Sequence, residues 1–162
     1  MIRHARAADR PAIATINDLA FGRPDEAALV ARLREDGEAM CEIVSETDGI
    51  IDGHILFSRL WADRPELFAA LAPMAVRPDR QRSGVGSALV RAGLQILPEF
   101  GVRGVLVLGH PAYYPRFGFA AETAAKVKAP YAGSPAFMAL ALDEGAFDAP
   151  LTLIYPDAFS GA

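Results

Sequence analysis

The chain has 162 residues, 52% of them hydrophobic and 22% charged. That is the size of one domain, residues 1–162, with material for a sizeable core, and it excludes a disordered chain. A formal net charge of −4 argues against a nucleic-acid partner, the lone Cys41 rules out an internal disulfide, and no apolar run or leading segment suits a membrane span or signal region, so a cytoplasmic protein without a membrane partner is expected.

Ile2 to Arg6 reads as a short strand. Asp9 is placed to cap a helix with Pro11 in its first turn, Ile13, Ile16, Ala20 and Phe21 on its apolar face, and Gly22-Arg23-Pro24 at its end. A second helix runs from about Asp25 to Glu35, with Ala28, Leu29 and Leu33 on one side and Gly37 as its stop; Arg32, Arg34 and Glu35 are expected on its solvated face. Met40 to Ser45 and Ile50 to Leu60 read as strands around the hairpin turn Asp48-Gly49, with Gly53 marking a bulge and Cys41 in the core. Trp61 to Pro65 reads as a loop. Leu67 to Val76 is a third strand, but its Pro73 cannot donate to a sheet ladder and calls for a bulge or a parting of neighbouring strands. A helix from Gly84 to about Phe100, stopped by Gly101, has Val85, Ala88, Leu89, Ala92 and Ile96 at helical spacing. Val102 to Leu108 is near-continuously apolar, as in a parallel strand covered on both faces, so strand, helix and strand predict a right-handed crossover. Pro111 and Pro115 limit the next segment to a turn or so of helix. Lys126 to Pro135 is loop-like. Phe137 to Leu142 and Leu151 to Tyr155 are strands, the last apolar enough to pair across a homodimer. His4, His54 and His110 are too scattered for a metal-ligand spacing, and no metal is expected.

The chemistry concentrates between the third strand and its helix. Gln81-Arg82-Ser83-Gly84-Val85-Gly86, followed by Ser87, is a polar loop with glycines where the helix opens. The first amides of a helix have no partner inside it, the helix dipole adds positive charge there, and glycine lets a large anion approach the backbone. With Arg77, Arg80 and Arg82 around it, the loop reads as a phosphate cradle. It lacks the lysine of a Walker loop, and Leu89 stands where a Rossmann loop has its third glycine. Ser83 as a helix cap in a plain surface turn is the alternative reading, but it leaves the paired glycines unexplained.

Leu71-Ala72-Pro73-Met74-Ala75-Val76-x-Pro78 followed by Gln81-x-x-Gly84-x-Gly86 resembles the coenzyme A loop of the GNAT superfamily of acyl-CoA-dependent N-acyltransferases. The resemblance implies an α/β (α+β) fold with a mixed central sheet, two parallel strands splayed apart and helices on both sides. It implies acetyl-CoA as cosubstrate, its pyrophosphate on Gln81, Arg82, Ser83, Gly84, Val85, Gly86 and Ser87 and its pantetheine arm along the backbone of Met74, Ala75 and Val76, with an N–H aimed at the thioester oxygen. Tyr114-Pro115-Arg116-Phe117-Gly118-Phe119 resembles the family segment whose tyrosine protonates the departing thiolate, which implies Tyr114 as acid; Tyr113 is the competitor in register. His110 stands where many members have Asn or Asp, so a contact with the cofactor arm competes with a plain loop role. The implied reaction is acetyl transfer to a primary amine, in a small molecule or a peptide, by direct attack in a ternary complex; a non-catalytic acyl-CoA sensor would keep the cradle without needing Tyr114. The base that deprotonates the amine is open among His54, Glu66, Glu122 and a water chain.

Overall fold

The structure, a computed structural model, describes residues 1–160. In chain order the strands are β1 (Ile2–His4), β2 (Ala39–Thr47), β3 (Ile50–Ala62), β4 (Leu67–Val76), β5 (Val102–Leu108), β6 (Val127–Lys128), β7 (Phe137–Ala141) and β8 (Leu151–Ile154). Helices α1 (Arg10–Phe21) and α2 (Asp25–Glu35) precede β2, and α3 (Val85–Ile96) joins β4 to β5. The main sheet runs β1-β2-β3-β4-β5-β7; every pairing on that path is antiparallel except β4 with β5. The expected mixed sheet, its one parallel pair and its flanking helices are all present.

Alternation along β3 sorts the core into layers. Ile55 and Phe57 face α3, while His54 and Leu56 face α1 and α2. Ile13, Ile16, Val30 and Leu33 supply the helical side of that second layer. A third cluster, Leu60, Phe68, Ala70 and Leu106, is covered by Phe137, Phe147, Leu151 and Leu153 from the C-terminal part of the chain. The β2–β3 turn has positive φ at both Asp48 and Gly49, the primed geometry that matches strand twist.

Helix α3 lies unusually close to the sheet. A Cβ on Gly93 would stand 2.2 Å from Cε2 of the fully buried Phe57, and one on Gly53 would stand 2.7 Å from Val85 and 2.8 Å from Leu89. Gly53 therefore serves helix approach; the extra residue of the β2–β3 bulge is its neighbour Asp52, since Ser45 pairs with Gly53 and Glu46 with Ile51. Gly93→Ala is expected to destabilise the protein by about 1–3 kcal/mol, because overpacking against Phe57 outweighs the gain of up to ~1 kcal/mol that alanine brings to a helix. A lowered urea midpoint at unchanged m-value checks this.

Several local expectations are corrected by tertiary partners. The Asp9 side chain does not cap α1; it accepts hydrogen bonds from Arg3 and from the Arg6 amide, in a short turn ahead of the helix. Trp61 and Ala62 belong to β3, not to a loop, because Ile154 and Leu153 of β8 pair with them. The helix after the loop stops at Ile96 and continues only as a 3₁₀ turn, Leu97–Phe100, since Pro98 has no amide to donate. Ala28 and Ala88 are exposed; α2 buries Val30 and Leu33, and α3 buries Leu89, Val90 and Gly93. The Lys126–Pro135 stretch contains β6, which runs parallel to β8, so the last strand finds its partners, β3 and β6, inside the chain. No helix among the described residues is long and apolar enough to cross a membrane.

Candidate active site

The site begins where β4 and β5 part. They pair from Leu67 opposite Val102 to Ala70 opposite Leu106 and no further, although β4 stays on β3 as far as Val76 opposite Gly53. The parting falls at a bulge in β4: Ile55 pairs with Met74 but Phe57 with Leu71, leaving an extra residue at Ala72-Pro73, whose peptide bond is cis. The awkward proline thus sits where the ladder is already broken. A cleft of about 480 Å³ opens there, lined by Met74 and Val76 of β4, by Gln81, Arg82, Gly84, Gly86 and Ser87, and by Tyr113 and Arg116 across the gap.

One wall of the cleft is a run of free amides. After Arg80, whose N–H bonds to Arg77, the next amide to reach a backbone carbonyl is that of Ala88, which donates to Gly84. The amides of Gln81 to Ser87 have no acceptor among the described residues. Arg82 and Gly84 both have positive φ, 63° and 93°, a backbone that turns successive N–H groups into one concavity and that is uncommon at arginine. Gly84, not Ser83, is the residue ahead of the helix; the Ser83 hydroxyl turns back to the Arg80 carbonyl. Gln81 Nε2 donates to the Val76 carbonyl at 3.1 Å, tying the loop to the end of β4.

Beneath the loop lies Asp52, a residue the sequence reading missed. It is buried in the β3 bulge; its carbonyl accepts the Arg77 amide at 2.9 Å, and its carboxylate takes the Thr47 hydroxyl at 2.8 Å and lies 3.4 Å from Arg80 Nε. A carboxylate next to a glycine inside an apolar strand was the available signal.

The opposite wall is aromatic. Tyr113 reaches into the cleft with its hydroxyl 2.9 Å from Ser87 Oγ. Tyr114 stands edge-on behind it, with ring centroids 5.1 Å apart, and packs against Phe119 and the bare face of Gly109. It is 8% exposed, and its hydroxyl makes no hydrogen bond among the described residues. Burial, with a smaller contribution from Tyr113, pushes its phenol up to about 12, so the ring keeps its proton at neutral pH.

The remaining expected site residues are scattered around the cleft. Ala75 is buried on the α1 side of β4, and Val85 packs toward Gly53. His110 is exposed, and its carbonyl accepts the amides of Tyr113 and Tyr114. His54 is fully buried: Nε2 donates to Glu42 at 2.7 Å, and Nδ1 accepts from the Asn17 amide at 3.2 Å, a tautomer assigned from these partners. Glu66 is paired with Arg64 and Arg103 at the far end of β4, roughly 30 Å of strand from Val76. Glu122 is exposed in a 3₁₀ turn. Cys41 is buried, and burial pushes its thiol up to about 11, which keeps it a poor nucleophile.

Parted parallel strands, a bulge between them and an amide-lined loop opening the following helix define an acyltransferase-type fold. The chain belongs to the acetyltransferase (GNAT) family, whose model matches residues 10–119. Among curated proteins it is 43% identical over 117 residues to YjhQ of Escherichia coli strain K12, an uncharacterized N-acetyltransferase; the match covers 68% of this chain and 64% of YjhQ. It is 38% identical to the uncharacterized N-acetyltransferase YhbS of the same strain, over 68% of each chain. The crystal structure of E. coli YhbS in complex with CoA superimposes with a TM-score of 0.91 at 31% identity, covering 99% of this chain and 91% of that one. A GNAT family acetyltransferase from Brucella melitensis in complex with acetyl-CoA gives 0.83 at 32% identity, covering 98% and 97%.

Proposed function

We propose that this protein is a cytoplasmic N-acetyltransferase that moves the acetyl group of acetyl-CoA to a primary amine of a small molecule or peptide, by direct attack in a ternary complex. The observation that carries the reading is the run of unpartnered amides from Gln81 to Ser87, set at the mouth of the cleft between β4 and β5. A pyrophosphate satisfies those amides, and the CoA-bound relatives of the same fold support that ligand. Acetyl-CoA supplies the activated acyl group.

The chain's own residues do the rest. Gln81 to Ser87, with Arg82, hold the pyrophosphate. The β4 edge from Met74 to Val76, released from β5, aligns the pantetheine arm by strand-like hydrogen bonds and turns an amide toward the thioester oxygen, where negative charge develops. Tyr114 donates to the departing sulfur. Its hydroxyl is uncommitted, whereas that of Tyr113 is engaged with Ser87. Because His54 is sealed by Glu42 and Asn17 and Glu66 lies at the far end of β4, we route the proton of the attacking amine through water. Fixing donor and acceptor in one cleft makes their encounter local.

Calorimetric titration with acetyl-CoA, with ATP as control, tests the reading. Saturable acetyl-CoA binding in the micromolar range, roughly −8 kcal/mol, and CoA thiol release with at least one member of an amine panel are expected. Equal binding of ATP, or no binding to folded protein, refutes it.

A further inference from the structure

The cleft carries positive charge on two walls, one of them away from the pyrophosphate loop. Arg82 belongs to the loop, but Arg116 enters the cleft from the segment after β5. Many arginines elsewhere in the fold have carboxylate partners, among them Arg3 with Asp9, Arg34 with Glu42, Arg77 with Asp79, Arg80 with Asp52 and Arg103 with Glu66. Arg116 has none among the described residues. Its position is nonetheless fixed. Nε donates to the Tyr113 carbonyl at 2.9 Å, and the guanidinium lies 4.3 Å above the Tyr113 ring. Those two contacts hold the plane and leave both terminal nitrogens without an acceptor among the described residues. The adjoining Phe117 ring, 5.3 Å from Tyr113, carries a second guanidinium, Arg91, at 5.2 Å, also without a carboxylate partner among the described residues.

A fixed, forked donor of this kind suits a terminal phosphate. A phosphomonoester presents three oxygens and about −1.5 to −2 charges, whereas each phosphorus of a pyrophosphate diester has only two free oxygens to share. Arginine matches such an oxyanion bidentately. The acyl donor proposed above has one phosphomonoester, on the ribose of its adenosine end, and the loop amides already account for its pyrophosphate.

We infer that Arg116, oriented by Tyr113 and flanked by Arg91, binds the ribose phosphomonoester of the donor and makes the protein selective for CoA over dephospho-CoA. The inference rests on the CoA reading of the cleft. Arg116 is exposed, so its replacement leaves the core intact.

The test is titration of wild type, Arg116→Ala, Arg116→Lys and Arg82→Ala with CoA and with dephospho-CoA. Wild type is expected to bind CoA about tenfold more tightly than dephospho-CoA, one charged bidentate contact. Arg116→Ala should bind both ligands at the wild-type dephospho-CoA level, and Arg116→Lys should restore part of the difference. Arg82→Ala should weaken both ligands alike. Equal wild-type affinity for the two ligands overturns the inference while leaving the CoA reading standing, as does an Arg116→Ala variant that weakens both equally. Wild type binding neither ligand overturns both.

Discussion

Tyr114→Phe is expected to lower kcat by about 10²–10⁴-fold, the range for loss of a general acid, while leaving the Kd for acetyl-CoA unchanged. Tyr114 is not among the residues that line the loop end of the cleft, where the pyrophosphate is proposed to bind, so removing one oxygen should not disturb ground-state binding. The acidic proton is retained because burial holds the phenol near 12; what the variant loses is donation to sulfur as the C–S bond breaks. Tyr113→Phe is the informative companion. It deletes the hydrogen bond to Ser87 in the cradle and should weaken donor binding with a smaller effect on kcat. Steady-state kinetics with separate titrations reads both quantities. If Tyr113→Phe takes the kcat loss and Tyr114→Phe does not, the proton belongs to Tyr113 and the assignment is wrong.

The second large effect is on stability. Glu42→Gln should cost about 3 kcal/mol, the lower end of the range for breaking a buried ion pair; with 14% of its side chain exposed and 17% of Arg34's, some water reaches the pair. Burial alone would raise the Glu42 pKa. It is overcome by the hydrogen bond from His54 and the two-pronged contact from Arg34, which bring the carboxyl down to about 2. A carboxyl depressed in the folded state stabilises the fold above its ordinary range, and that contribution fades as the pH falls toward 2. The wild type should therefore lose stability between about pH 4.5 and 2, and Glu42→Gln should be weaker at neutral pH with a flatter acid limb. Chemical denaturation at several pH values decides it; parallel acid limbs would refute the assignment.

How much of this was legible beforehand follows from where each signal resides. β4, β5 and α2 could be bounded from the sequence because apolar runs, alternation and glycine or proline punctuation are local properties. The amide loop was legible for the same reason: two glycines opening a helix leave little other explanation. The Glu42–His54–Arg34 cluster was not. Its members come from β2, β3 and α2, and Arg34 read as part of a solvated face until Glu42 was brought against it. Asp9, Asp52 and Trp61 were misjudged or missed likewise, because each answers to a partner distant in the chain or to a register known only once the sheet is assembled. For Arg116 the ring beneath it lay three residues away, but the missing carboxylate is a property of the whole surface.

The early parting of β4 from β5 has a further implication. An unpaired strand edge normally invites another chain to add itself. Here the edge from Leu71 to Val76 lies inside the sheet rather than at its rim, bounded by a neighbour that diverges only beyond Leu106. On the acetyl-CoA reading proposed above, that inner edge pairs with one slender extended molecule that carries its own amides. The sheet is in effect one strand short from Leu71 onward, and a bound ligand would complete it.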